Sequence, residues 1–165
     1  HDLVGDLDYA MFIVTARDGD RLAGCLVGFT CQTSIDPPRF LVCLSRRNRT
    51  YRLAQNADVL AVHFVPRDAE ALVELFGGHT DDSDEDRDAS SGGSDKFAQV
   101  GWRPGPEGVP ILQDCGNWFA GTVLERLDLG DHVGFLLEPV QAQRQGGTQY
   151  YPFSQAKHIE PGHPA

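Results

Sequence analysis

The chain of 165 residues is poor in positive charge: 14 Lys and Arg stand against 24 Asp and Glu, a formal net charge of −10. That balance argues against a nucleic-acid partner, whose phosphates call for a basic footprint. No apolar run approaches the roughly 20 residues of a bilayer span, so no membrane partner is expected. No basic segment followed by an apolar core opens the sequence, so no export leader is read there. Cysteine is scarce, with only Cys25, Cys31, Cys43 and Cys115, none of them in a C-x-x-C pair. The first three lie in or beside apolar runs, where a free thiol packs as a small hydrophobe. A reduced, cytoplasmic setting is the expectation.

Several common site signatures are missing as well. There is no G-x-G-x-x-G after a strand and no G-x-x-x-x-G-K-[ST], which removes the standard dinucleotide and P-loop cradles. No G-x-S-x-G elbow occurs, and no histidine pair has H-E-x-x-H spacing. The acidic run 81–88, DDSDEDRD, carries half of the net charge. Counted from Asp82 it mimics a calcium loop, but Arg87 replaces the required Gly and Gly93 the closing Glu. Both the sharp turn and the bidentate ligand are lost, and no metal is expected. Residues 79–95, acidic and rich in Ser and Gly, read as an exposed, flexible insertion within a single domain spanning 1–165.

What remains is rich in strand formers. Residues 9–16 (YAMFIVTA) and 21–30 flank a turn and predict a hairpin. Residues 32–38 read as a polar loop, 39–45 (RFLVCLS) as a buried strand, and Thr50 as the N-cap of a short helix to about 57. Residues 59–65 (VLAVHFV) predict a strand, with a helix after it from an Asp68 cap to Phe76, closed by Gly77. A Gly/Pro-rich loop covers 101–110. Residues 118–127 and 132–143 predict a strand pair across Gly130-Asp131, and 150–153 a last short strand. About six strands and two short helices, without regular alternation, predict a mainly β, antiparallel six-stranded barrel with short flanking helices.

Two segments carry candidate chemistry. In GCLVGFTCQTSIDPP, residues 24–38, Gly24 and Gly28 leave room for a flat ligand against the backbone, and Thr30, Gln32, Thr33 and Ser34 offer hydrogen bonds. The same residues also suit an ordinary strand and turn. In LSRRNRT, residues 44–50, three arginines with Ser45, Asn48 and Thr50 precede a helix start, a pattern suited to phosphate. The alternative is a solvated turn whose arginines pair with acidic neighbours. His63 reads as a satisfied strand histidine. Trp102, Trp118, Tyr150 and Tyr151 read as packing residues, although Tyr150, Tyr151 and His158 lie where a C-terminal segment closes over a site.

The succession SIDPP, RFLVCLSRRNRTY, AVHFV, LFGG, DKF, GVPILQDC and GDHVGFLLEPV resembles the flavin reductase-like family, from about residue 9 to 142. That family includes small reductase components of two-component monooxygenases. The resemblance implies an FMN-binding split barrel and a homodimer with flavin near the subunit interface. It implies FMN, with FAD as the other flavin, and NADH or NADPH as hydride donor. Ring contacts fall on Leu26, Val27, Gly28, Phe29, Thr30, Gln32, Thr33 and Ser34, and phosphate contacts on Ser45, Arg46, Asn48, Arg49 and Thr50. Lys96 and Phe97 match a segment near flavin in some relatives. His132 of the Gly-Asp-His turn is the implied catalytic residue. Leu26, Val27 and Gly28 stand where many members have Thr-Ala-Ser, and Gln32 where Ser is common. A non-catalytic flavin carrier or sensor, or an interaction domain that has lost flavin, are the competing readings.

Overall fold

The computed structural model describes residues 2–78, 94–147 and 149–159. Most of the acidic insertion, residues 79–93, lies outside the described residues. Among the described residues nine strands form: β1 (Phe12–Asp18), β2 (Arg21–Val27), β3 (Thr30–Ser34), β4 (Arg39–Ser45), β5 (Val59–Phe64), β6 (Trp102–Pro104), β7 (Pro110–Leu112), β8 (Trp118–Asp128) and β9 (His132–Gln143). The helices are short: α1 (Asp2–Gly5), α2 (Arg49–Ala54), α3 (Glu70–Gly77), α4 (Ser94–Ala98) and α5 (Phe153–Ala156). Among the described residues no helix is long and apolar enough to cross a membrane.

The main sheet has seven antiparallel strands in the order β2-β1-β5-β8-β9-β4-β3, and β6-β7 form a separate ribbon. The six-strand expectation is therefore corrected. What reads in the sequence as one strand over 21–30 breaks at Gly28 and Phe29, and residues 30–34, partly assigned to a loop, form β3. Polar β3 lacks a periodic apolar signal because it is an edge strand with mostly exposed side chains. The Gly/Pro-rich loop over 101–110 hides the short ribbon, and 150–153 makes only single bridges, Pro66 to Tyr150 and Ala10 to Pro152.

Strands β2 and β3 end opposite edges of the sheet yet are consecutive in the chain. The Phe29 carbonyl already accepts the Cys43 amide, 2.9 Å, extending the β3–β4 ladder backward. Gly28 alone thus joins one edge to the other, and so short a link forces the sheet to roll until its edges meet there. Along the seam below that link, β2 and β4 face each other without a ladder between them.

Strand β1 is buried on both faces, which explains its unbroken apolar run. Phe12, Val14 and Ala16 enter the interior of the roll with Val42, Leu44, Phe135 and Leu137. Met11 and Ile13 point outward under Phe76, Phe97 and Tyr151 from α3, α4 and the C-terminal segment. Phe119 closes edge-on against Phe40, with ring centroids 5.3 Å apart. His63 is buried on the outer side of β5. Leu112 N–H donates to Nε2 at 3.0 Å, so Nδ1 carries the proton and donates to the Ile13 carbonyl at 2.9 Å. Burial pushes its pKa down to about 4, keeping the ring neutral.

Candidate functional site at the seam

A cleft of about 290 Å³ opens where the rolled edges meet. One wall is the end of β2, Cys25, Leu26 and Val27, continuing through Gly28 and Phe29. The facing wall is the end of β4, Cys43, Leu44 and Ser45, with Asn48 beyond it. Tyr9, Met11 and Phe153 close one end, and His132 stands at the mouth. Each wall follows from the topology: β2 is a sheet edge with no strand partner beyond it, and the β4–β9 register places Ser45 opposite His132.

The cleft is apolar apart from a few polar groups. Phe29, 56% exposed, leans on His132 with ring centroids 5.1 Å apart. His132 Nδ1 lies 2.7 Å from Asp131 Oδ1. A carboxylate only accepts, so Nδ1 carries the proton and Nε2 is left to other partners. The hydrogen bond from His132 holds the Asp131 carboxyl below its ordinary range. At the far end the Asn48 side chain accepts the Thr50 amide at 2.8 Å, capping α2. Asn48, not Thr50, is thus the N-cap, because its carbonyl oxygen reaches two residues ahead.

The two thiols in the walls are not nucleophiles. Burial pushes Cys25 up to about 11, against a Thr50 hydrogen bond that lowers it. Burial, followed by the neighbouring Cys31 thiol, raises Cys43. Among the described residues no carboxylate lines the cleft, and burial disfavours the thiolate of both wall cysteines.

Of the residues singled out in the sequence, Leu26, Val27, Gly28, Phe29, Ser45, Asn48 and His132 meet in this cleft. Thr30, Gln32, Thr33 and Ser34 lie beyond it on β3, and Gln32 Nε2 turns back to the Ser34 carbonyl at 3.4 Å. Thr50 is buried beneath α2's start, against Cys25. Arg49 opens α2, outside the cleft lining. Phe97 is core, edge-on to Phe76 at 5.8 Å, and Lys96 Nζ reaches the Gly24 carbonyl at 3.4 Å. Arg46 points away from the cleft: Nε donates to the Gly130 carbonyl at 2.9 Å and Nη2 to Asp128 at 2.7 Å. The alternative of a turn arginine pairing with an acidic neighbour describes it.

The room expected beside the two glycines is taken by protein. A Cβ on Gly24 would stand 2.7 Å from Phe76, and one on Gly28 would stand 2.6 Å from Tyr9. Tyr9, Met11, Cys25, Cys43, Leu44 and Phe153 line the cleft although none of them was assigned to the site from the sequence. Tyr9 and Phe153 stack at 4.8 Å, a pair 144 residues apart with no local signal. Tyr150, Tyr151 and His158 lie elsewhere: Tyr150 packs on Phe64, while Tyr151 and His158 hydrogen-bond to Glu70. Glu70, Glu74 and His158 hold donor atoms within 4.8 Å of one another, all exposed.

Residues 4–157 match the family described as flavin reductase like domain, and the chain belongs to that family. A Rhizobium meliloti protein named "Probable flavin reductase" is 30% identical over 136 residues, covering 80% of this chain and 39% of that protein. The FMN reductase (NADH) RutF of Bradyrhizobium diazoefficiens is 28% identical over 147 residues, covering 89% of this chain and 76% of its own. The chain thus spans well under half the length of the first relative and about three quarters of the second. The Streptomyces globisporus NADH:FAD oxidoreductase SgcE6 shares the fold, with a TM-score of 0.78 at 21% identity. That superposition covers 99% of this chain and 90% of the other.

Proposed function

We propose that this member of the flavin reductase-like family is an NAD(P)H-dependent flavin reductase that binds FMN, with FAD as the alternative flavin, in the cleft at the seam. The observation that carries the reading is the composition of that cleft. An apolar slot bounded by Leu26, Val27, Tyr9, Met11 and Phe29 leads to Ser45 and Asn48 at one end and an imidazole at the mouth. That donor set fits an isoalloxazine ring with a polar tail. The names of two relatives, an FMN reductase (NADH) and an NADH:FAD oxidoreductase, support the same chemistry.

When bound, the flavin supplies the hydride-accepting chemistry, so the chain's task is to orient two rings and exclude water. The β2 wall and Phe29 bound the ring. Ser45 and Asn48 receive the polar tail, with Arg49 next to them at the start of α2. His132 orients the nicotinamide or balances flavin charge from its Nε2, with Nδ1 held by Asp131. The rolled sheet is a split barrel within one domain, 1–165.

The chain acts as a cytoplasmic homodimer and serves a partner monooxygenase. The dimer reading is supported by apolar side chains exposed on the β8–β9 arm, Leu124, Leu127, Leu129 and Val140. The test is direct. Purified protein should take up FMN, seen by quenching of flavin fluorescence, and then oxidise NADH or NADPH with added flavin. FMN uptake without turnover would leave a carrier or sensor, and no uptake of either flavin would overturn the reading.

A further inference from the structure

Arg46 sits at the end of β4, in the segment whose arginines suggest phosphate binding, yet its guanidinium is committed to the turn between β8 and β9. Nε–H donates to the Gly130 carbonyl at 2.9 Å, and Nη2–H donates to Asp128 Oδ1 at 2.7 Å. The Arg46 backbone N–H donates to the Asp131 carbonyl at 3.0 Å. One residue therefore holds three of the four residues 128–131. On the other side, Nη1–H donates to the Tyr51 hydroxyl at 3.3 Å, and the guanidinium carbon stands 6.0 Å from that ring's centroid. Tyr51 is buried in the interior core, so the arginine ties an exposed turn to a fixed point.

The turn needs such a tie. Gly130 has φ of 118°, a conformation open to glycine, and a Cβ placed there would meet nothing within 4 Å. Directly after it come Asp131 and His132, whose ring carries the Asp131 hydrogen bond and leans on Phe29 at the cleft mouth. We infer that Arg46 is a positioning residue, pinning the 128–131 turn so that His132 stands at the mouth of the cleft, and that it is not a phosphate ligand. The planar fork suits this role: Nε and Nη2 are separate donors held in one rigid plane, so the two acceptors on the turn are fixed relative to each other, whereas an ammonium offers its donors from a single freely rotating nitrogen. The Arg46–Asp128 ion pair is exposed and weak in isolation, so its consequence is geometric rather than a gain in global stability. The inference rests on the reading of the cleft as the flavin site, with His132 at work in it.

The test uses the full chain, with Arg46→Ala, Asp128→Asn and the double variant. Three quantities are read: NADH oxidation with added FMN, the affinities for FMN and riboflavin, and the His132 ring-proton resonances, which the Phe29 ring shifts. Arg46→Ala should lower kcat about tenfold through misplacement of His132. The ratio of FMN to riboflavin affinity should stay within about twofold of the starting protein, because no phosphate contact is lost. The His132 resonances should lose the shift due to Phe29. Asp128→Asn should change kcat and resonances in the same direction, and the double variant should be no worse than Arg46→Ala, since the two act as one unit. A loss of FMN affinity of about tenfold or more relative to riboflavin would make Arg46 a phosphate ligand and overturn the inference. Unmoved His132 resonances in Arg46→Ala would overturn it as well. If the unaltered protein binds no flavin, the reading of the cleft falls, while the resonances still decide whether Arg46 holds the turn.

Discussion

Phe29 and His132 stand with ring centroids 5.1 Å apart and planes inclined at 50°, bringing the link between the sheet edges against the first residue of β9. Neither ring is part of the core clusters. Phe29→Ala and His132→Ala should each lower NADH-dependent flavin reduction by about tenfold or more, through lost orientation of the reacting rings. The melting temperature should shift by only about 2 °C or less, as for surface substitutions. Steady-state kinetics beside thermal unfolding checks both. Unchanged turnover in both variants would show that chemistry does not occur at the seam.

Gly28→Ala should perturb the cleft from within. The new Cβ would meet Tyr9 at 2.6 Å, and Tyr9 cannot swing aside freely because it stacks on Phe153. Overpacking of this kind costs about 1–3 kcal/mol. The expected result is a lower denaturation midpoint together with weaker FMN binding. Denaturant titration and flavin fluorescence, run on the same preparation, would report each effect separately.

His63 should give the fold an acid-sensitive component. Its unfolded pKa is near 6.5, and burial lowers the folded value to about 4. Protonation therefore favours the unfolded chain. The stabilisation is fully present above pH 6.5 and is lost as pH falls through 4, on the order of 3 kcal/mol in total. His63→Leu should be less stable at pH 7, because Leu112 N–H loses its acceptor. It should also be less pH-sensitive between 6.5 and 4. Melting curves across that range compare the slopes, and parallel slopes would rule out His63 as the titrating group.

Leu127→Glu combined with Val140→Glu should separate the proposed dimer. Both side chains are exposed on the β8–β9 arm, so the single chain gains no buried charge and should keep its fold. Size-exclusion chromatography with light scattering should read a dimer for the unaltered protein and a monomer for the variant. A dimer in both would place the interface elsewhere.

Much of the fold is legible in the chain because its causes are local. Strands β4 and β9 fall on the predicted bounds, 39–45 and 132–143, since each is an apolar run between breaking residues. The Gly130-Asp131 turn is legible for the same reason. Edge strand β3 is not, because an exposed strand needs no apolar alternation and gains its order from pairing with β4. The helix over 70–77 is legible in its apolar face, whereas its start is not: Ala69 provides no side-chain cap, and packing sets the boundary.

The candidate site divides the same way. The sequence by itself determined a β-rich chain and a flavin reductase-like succession of motifs, and that resemblance, rather than any local signal, implied Leu26 to Phe29, Ser45, Asn48 and His132, about half of the residues that line the cleft. Only the tertiary structure decided which side chains meet. Tertiary packing brings Tyr9 to Phe153, Arg46 to Asp128 and His63 to Leu112, partners between 49 and 144 residues apart. Periodicity and turn chemistry record a residue's own backbone conformation. They do not record its partner across a rolled sheet, and that partner turns an arginine in a phosphate-like motif into the pin of a turn.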